Sequence, residues 1–341
     1  MDKVRFLSRP ESYAHTQEVL VRETHMSFVF LTDDHVYKLK KPVCYDFLNF
    51  STLEARHKYC REEVRVNKVL APDVYLGVVA MRFDGEHLSL GSKGVLVDWL
   101  VKMRRLPDEY MLDNLLNNGR VPMPWIQKAA EKLTNFYLST SPVCMSGHQY
   151  REMIKEKVEI DINNLLSQEF GLYKPQIMGI GIDLLRFLMH FSFLFDLRVS
   201  EGRVKECHGD LRPEHICLFP EPLMIDRIEF NENLRLMDIA EELSFLTLEC
   251  EVLGFSETGE TFIHFYRLKS KDDIPEELIH FYKAKRALLR AWLCIHHLLE
   301  KVYSDQEIKW RGKCENYLNI ASDYCEKMFN STTYKRNESH E

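Results

Sequence analysis

The feature that most constrains the fold of this chain is a change of period partway along it. Up to about residue 103, short runs rich in Phe, Val, Tyr and Leu alternate with turn residues; from Leu106 onward apolar residues recur at helical spacing. Residues 27–31 and 36–40 flank the turn-like Thr32-Asp33-Asp34-His35 and predict a hairpin, with Lys38 and Lys40 on one face and Tyr37 and Leu39 on the other. Residues 74–83, 87–90 and 95–103 predict three more strands, with Asp84-Gly85 as the turn between the first two. Ser8-Arg9-Pro10-Glu11 has capping-box spacing and predicts a short helix to about Leu20. Ser51-Thr52-Leu53-Glu54 predicts a longer charged helix to about Leu70, stopped near Pro72. Helices are then expected at about 108–117, 123–139, 148–168, 176–197, 236–253, 258–268, 275–301 and 305–329, interrupted by short strands around Ile216 and Ile225. The expectation is an α+β chain: a five-stranded antiparallel lobe with one major helix over residues 1–103, a larger helical lobe over 104–330, and a disordered tail at 331–341.

Length and charge narrow the function. A chain of 341 residues has ample core without disulfides or structural metal. Its 45 Lys+Arg against 52 Asp+Glu give a net charge of −7, which argues against a dedicated nucleic-acid binder. No apolar leader opens the sequence. The greasiest stretch, 187–197, is interrupted by His190 and Asp196 and is shorter than the roughly 20 residues a bilayer span requires, so a cytoplasmic protein with a buried helix there is expected. The 9 cysteines form no C-x-x-C pair and read as reduced thiols, and the sequons at Asn330 and Asn337 carry no meaning in a cytoplasmic chain.

The most informative stretch is His208-Gly209-Asp210-Leu211-Arg212-Pro213-Glu214-His215, followed by Leu223-Met224-Ile225-Asp226. Its spacing is that of a phosphotransferase catalytic loop, H-x-D-L-x-x-x-N. In such a loop the Asp accepts the proton of the acceptor hydroxyl, and a downstream Asp after a short apolar strand holds the metal. Asp210 takes the first role and Asp226 the second, because a hard cation bridging phosphate oxygens needs an anionic oxygen. His208 reads as a buried histidine bracing the loop.

His208-Gly209-Asp210-Leu211 with Ile225-Asp226 resembles the aminoglycoside phosphotransferase family of kinase-like small-molecule enzymes, closest to an uncharacterised bacterial branch. Further points of similarity are Glu23-Thr24-His25-Met26-Ser27, Val36-Tyr37-Lys38-Leu39-Lys40-Lys41-Pro42, Lys102-Met103-Arg104-Arg105-Leu106, Ile228-Glu229-Phe230-Asn231, and the stretch holding Arg286-Ala287 and Arg290-Ala291. The resemblance implies a protein kinase-like two-lobed fold and an ATP-dependent transfer of the γ-phosphoryl group, with Mg²⁺ or Mn²⁺, to a hydroxyl of a small molecule. By it, Lys38 contacts the nucleotide phosphates and pairs with a glutamate of the following helix. Glu63 is the expected partner and Glu62 the fallback, while Lys40 and Lys41 are expected to be exposed. Lys102 and Met103 lie where adenine is received, and Thr24 to Ser27 stand in for the missing glycine-rich loop.

His215 stands where the family pattern has Asn, and imidazole is a poor ligand for hard Mg²⁺. It is a candidate metal neighbour beside Asp226, and it motivates an alternative: a nucleotide-binding pseudokinase acting as a regulatory or interaction module. A third reading gathers Cys207, His208, His215 and Cys217 into the metal site of a hydrolase. Lys283, Arg286 and Arg290 form a basic stripe at helical spacing, either a salt-bridged face or a seat for an anionic group of the acceptor. Gly179-Ile180-Gly181 has a leucine at the third glycine position of a dinucleotide fingerprint and is expected to be a capping turn. His296 and Glu300, four apart, suit an ordinary helix face better than a metal. The acceptor's identity, ATP against GTP, and the oligomeric state are not encoded in anything legible here.

Overall fold

A computed structural model describes residues 2–45, 48–119, 121–167, 170–299 and 306–330. The expected tail at 331–341, with Asn337, and Glu300 lie outside the described residues. The elements are α1 (Lys3–Leu7), β1 (Leu20–Glu23), β2 (Ser27–Leu31), β3 (His35–Lys40), the short β4 (Cys44–Tyr45) and β5 (Leu48–Asn49), α2 (Leu53–Asn67), β6 (Tyr75–Phe83), β7 (Leu88–Leu90) and β8 (Val95–Arg104). They continue with α3 (Leu112–Asn117), α4 (Met123–Ser139), α5 (Gly147–Ser167), α6 (Lys174–His190), α7 (Ser192–Ser200), β9 (Val204–Glu206), β10 (Ile216–Cys217), β11 (Leu223–Met224), β12 (Leu236–Asp238), α8 (Ile239–Val252), α9 (Ser256–Ser270), α10 (Glu276–His296) and α11 (Glu307–Asn330). The chain divides into two compact units. One holds residues 1–129 and 208–235, the other 130–207 and 236–341, so the catalytic-loop stretch packs with the amino-terminal sheet.

In the first unit an antiparallel sheet runs in the order β1-β2-β3-β8-β6-β7. It contains all five expected strands and one more, β1. Strand alternation sorts its side chains: Phe30, Tyr37, Leu39, Met81 and Leu100 pack with Leu7 of α1, while Val101 and Tyr75 pack with Cys60 of α2. Lys38 and Lys40, out of phase with Tyr37 and Leu39, therefore face α2. That helix starts at Thr52, one residue later than the Ser51 capping box implies, because the Thr52 hydroxyl accepts the Ala55 N–H at 3.1 Å.

The amino terminus departs from expectation. No helix runs from Ser8 to Leu20. Instead Asp2 caps α1, and a single 3₁₀ turn covers Pro10–Ser12. His15 takes a left-handed conformation, with φ 59°, that ends any helical path. The Tyr13 hydroxyl folds back to donate to the Leu7 carbonyl at 2.6 Å.

The second unit is helical. α10 packs against α11, α8 and α5, and β9 pairs with β12 beside them. The predicted helix at 176–197 is two, α6 and α7, bent by 62°. Phe187, Phe191 and Phe195 are buried while Met189, Phe193 and Leu197 are exposed, so the greasy stretch covers a core with one face only. Gly181 lies inside α6 rather than in a capping turn. A Cβ there would come within 2.2 Å of Ile162 on α5, so glycine permits the close approach of the two helices. Among the described residues no single helix is long and apolar enough to cross a membrane.

Candidate active site

The catalytic loop and the loop around Asp226 are zipped together by the residues that read as chemistry in the sequence. The His208 ring donates from Nε2 to the Ile225 carbonyl at 2.9 Å, and its backbone carbonyl accepts the Ile228 N–H at 3.2 Å. The His215 carbonyl accepts the Ile225 N–H at 2.9 Å. Gly209 between them has φ +95°, and a Cβ there would press on Ile228 at 3.0 Å and on the Leu234 carbonyl oxygen at 3.2 Å, which is why no other residue suits the second loop position. Burial, then the neighbouring His215, lowers the His208 pKa to about 3, so the ring is neutral and serves as a brace.

Asp226 is held in the left-handed region, φ 63°, an uncommon conformation for a non-glycine residue and a recurrent one at functional sites. Three groups of the sheet and α2 fix it there. Its N–H donates to the Tyr75 hydroxyl at 2.9 Å, and the next residue, Arg227, donates its N–H to Asn67 Oδ1 at 2.8 Å and accepts from Asn67 Nδ2 at 3.1 Å. The Asp226 carboxylate meets Lys38 Nζ at 2.7 Å. Partial desolvation of this half-exposed carboxylate resists its ionisation, but Lys38 and then His215 hold the carboxyl well below the usual range.

Lys38 also reaches Glu63 Oε1 at 3.0 Å, and Glu63 Oε2 meets Lys40 at 2.6 Å. Lys40 is 1% exposed and pairs in addition with Glu229. Burial opposes both lysine charges, yet the facing carboxylates raise both pKa values, Lys38's from Asp226 first and Lys40's from Glu229 first. The two lysines are thus distinguished by their surroundings: Lys38 lies at the edge of this cluster against Asp226, and Lys40 lies wholly within it. Lys40 is not the exposed edge lysine that the sequence suggested, because α2 covers that face of β3. Glu63, rather than Glu62, reaches Lys38; Glu62 turns to Arg65 at 2.6 Å.

The catalytic-loop face carries a second cation. Arg212 donates from Nε to Asp210 Oδ2 at 3.2 Å, with Nη2 in ion-pair contact with the same oxygen at 3.0 Å, and also binds Glu214. Its Nη2 lies 3.3 Å from His215 Nε2, while His215 Nδ1 lies 2.7 Å from the Asp210 carbonyl. A proton on Nδ1 satisfies both contacts, with the single Nε2 lone pair accepting from Arg212, and Nε2 lies 3.8 Å from Asp226 Oδ2. Were Arg212 to turn away from Nε2, this anionic oxygen and imidazole nitrogen would fit a divalent cation that tolerates mixed donors.

Not every expected contributor converges here. Ser27 is buried, and its N–H donates to Thr24 Oγ1 at 3.0 Å while the Thr24 N–H donates to the Ser27 carbonyl at 2.9 Å. Those two backbone donors close their own turn, so neither reaches a phosphate unless the turn opens. Met103 packs in one apolar cluster with Leu106, Leu223 and Ile225, and Lys102 lies over the Tyr37 ring. Arg286 and Arg290 belong to the second unit, where they pair with Glu241 and Glu249 at 2.9 and 3.2 Å. Cys217 is drawn to the Phe219 carbonyl and His208 to that of Ile225, and among the described residues no group of three or more His, Cys, Asp and Glu gathers to hold a metal. Asn67, Tyr75, Arg212, Lys40 and Glu229 are the parts that the sequence reading left out. Asn67 had a signal in its place four residues after Glu63 on the same helical face, and Lys40, Arg212 and Glu229 in lying within the quoted motifs.

Comparison with known proteins bears on the fold. Over 92% of the chain and 90% of the other, the structure superposes on choline kinase from Cryptosporidium parvum with a TM-score of 0.54 at 9% identity. A choline/ethanolamine kinase family protein from Mesorhizobium loti gives 0.53 at 13% identity over 97% and 95% of the two chains. The aminoglycoside phosphotransferase APH(4)-Ia gives 0.53 at 13% identity over 92% and 98%. The chain has the protein kinase-like fold of these phosphotransferases. Within that fold Lys38, Glu63, Asp210 and Asp226 occupy one unit of this chain. No family model matches the sequence. A curated relative, the uncharacterized protein Rv2004c of Mycobacterium tuberculosis, is 31% identical over 286 residues, 80% of this chain. The chain spans about half the length of that relative, 53% of it.

Proposed function

We propose that this chain belongs with the aminoglycoside phosphotransferase-like kinases and transfers the γ-phosphoryl group of ATP to a hydroxyl of a small molecule. The observation that carries the proposal is the Lys38 ammonium between Glu63 and Asp226, at 3.0 and 2.7 Å, on the same compact unit as Asp210. The fold supports the class of reaction. Related structures in which APH(4)-Ia is bound to AMP-PNP and hygromycin B support a nucleotide together with a small-molecule acceptor.

In this reading Lys38 releases Asp226 and turns to the nucleotide phosphates, with Glu63 keeping it aimed. Asp226 would hold the divalent cation, Mg²⁺ or Mn²⁺, with His215 Nε2 joining it once Arg212 turns away, and the cation would supply positive charge against the phosphate oxygens. Asp210 orients the acceptor hydroxyl and takes its proton as the new O–P bond forms and the bond from the γ-phosphorus to the β–γ bridging oxygen breaks, with ADP leaving. Arg212, already on Asp210, balances charge on the transferring group. Catalysis is then positioning plus electrostatic stabilisation. The apolar cluster of Met103, Leu106 and Leu223 supplies a surface suited to adenine.

One observation favours the alternative of a nucleotide-binding pseudokinase: Arg212 occupies the Asp210 carboxylate, and His215 replaces the usual Asn. Thermal unfolding with ATP or GTP, each with Mg²⁺ or Mn²⁺, separates the readings from a plain kinase-shaped protein. At 100 times Kd a ligand stabilises the folded state by about 2.7 kcal/mol. A metal-dependent rise lost in Asp226→Asn is expected. Absence of any rise rules out the nucleotide site. Where the rise is present, an acceptor screen with Asp210→Asn as the inactive control divides enzyme from pseudokinase.

A further inference from the structure

Lys38 and Lys40, two residues apart on β3, each hold one carboxylate of the same loop: Lys38 takes Asp226 and Lys40 takes Glu229, three residues further on. Glu63 lies between them and gives one oxygen to each lysine. The side chains differ in what can reach them. Lys40 has no exposed side-chain surface and lies 4.9 Å from the centre of the Phe50 ring, with Glu63 and Glu229 buried around it. Lys38 keeps some exposure and meets a carboxylate that is 45% exposed. A ligand entering at Asp226 can therefore exchange the partners of Lys38, whereas those of Lys40 are out of its reach.

We propose that the Lys40–Glu229 pair is a positioning clamp for the metal-holding loop. It is a fixed ion pair that keeps Glu63 on its helix face, and Asp226 in its left-handed conformation, while Lys38 and Asp226 change partners. The proposal rests on the phosphotransferase reading and adds a division of labour within it. Neither Lys40 nor Glu229 touches substrate; both act through Asp226 and Glu63. The loop between the two carboxylates is already fastened at each backbone step, by Tyr75 to Asp226, Asn67 to Arg227 and His208 to Ile228. Glu229 closes that series with a side-chain anchor that ties the loop to β3 without involving Asp226 itself.

The test uses a general property of buried ion pairs. Removing one partner strands the other charge and destabilises the fold, whereas replacing both by apolar residues is often neutral. Lys40→Met alone should unfold at a lower temperature, and Lys40→Met/Glu229→Leu should recover part of the wild-type midpoint, because Glu63 keeps Lys38 but loses its buried Lys40 partner in both variants. If the pair positions the loop, the double variant still needs at least about tenfold more Mn²⁺ to half-saturate the ATP-dependent stabilisation, the loss typical when a group behind a metal ligand is removed. Binding of ATP without metal should change little by comparison, and Mn²⁺ electron paramagnetic resonance reads the metal directly. A folded double variant with the wild-type Mn²⁺ requirement would overturn the clamp and leave a core ion pair. Should the double variant not fold, Glu229→Gln, which keeps the shape and one acceptor, carries the same test: a folded protein with unaltered Mn²⁺ requirement overturns the proposal. If the wild type itself shows no nucleotide or metal effect, the phosphotransferase reading fails first and takes the clamp with it.

Discussion

Protonation states at single residues set how this site responds to acid. His208 is fully buried with its folded pKa lowered to about 3, by burial first and His215 second, against an unfolded value near 6.5. The unfolded chain therefore binds this proton more readily. The stability His208 contributes is complete above about pH 6.5 and is lost progressively as pH falls toward 3, by an amount on the order of a few kcal/mol. His208→Gln, which retains a donor for the Ile225 carbonyl and does not titrate, is expected to be less stable than wild type at pH 8 and to lose less stability between pH 7 and 5. Urea midpoints at the two pH values check this; parallel losses in both proteins would refute it. The placement of Asp210 and Asp226 in one unit, at 3.9 and 3.8 Å from His215, was legible in the sequence because the loop motif and the downstream Asp stand at a fixed spacing. The separate fates of Lys38 and Lys40 were not, since two lysines on one strand face differ only by what α2 places over them. Arg212 was passed over because its part depends on which way a loop side chain turns, which spacing does not encode.

At the scale of elements, α2 works as a bracket between the sheet and the Asp226 loop. Glu63 and Asn67 project from its buried face one turn apart, and Asn67 binds both backbone groups of Arg227, at 2.8 and 3.1 Å. Asn67→Leu removes both bonds while keeping the volume, and a loss of about 2–5 kcal/mol is expected from two buried backbone groups deprived of this partner. Thr52→Ala, at the exposed start of the same helix, is expected to lose only about 1 kcal/mol. Chemical denaturation of the pair gives the contrast, and equal losses would mean that the bracket carries no special weight. The helix itself was legible through its capping residues and its stop near Pro72. β1 was not: all four of its residues are exposed, so it lacks the alternation that marks a half-buried strand. β9 and β12, three residues each, are too short to show any period and form through pairing with each other.

At the scale of the whole molecule, the chain's path decides how the site can be assembled. The first unit is discontinuous, and its ion pairs join residues 188 and 189 positions apart, Lys38 with Asp226 and Lys40 with Glu229. Such contacts form only after a large loop has closed, so the site depends on the 208–235 segment returning to the sheet. The second unit carries its own buried charges in matched sets. Arg198 is shared by Asp238 and Asp272, Lys285 and Arg286 meet Glu241, and Arg290 meets Glu249, so the stripe on α10 is accounted for by pairing within that unit. The first unit without its returning segment has no such balance. Residues 1–129 alone would bury Lys38 and Lys40 against Glu63 with Asp226 and Glu229 missing, and would expose the apolar surface that Leu223 and Ile225 cover. That fragment is expected to show no cooperative thermal transition and no ATP binding, by circular dichroism and calorimetry respectively. A sharp transition with nucleotide binding near that of the full chain would mean that the sheet and α2 form the nucleotide site unaided. The loop at Asp226 would then serve the metal alone.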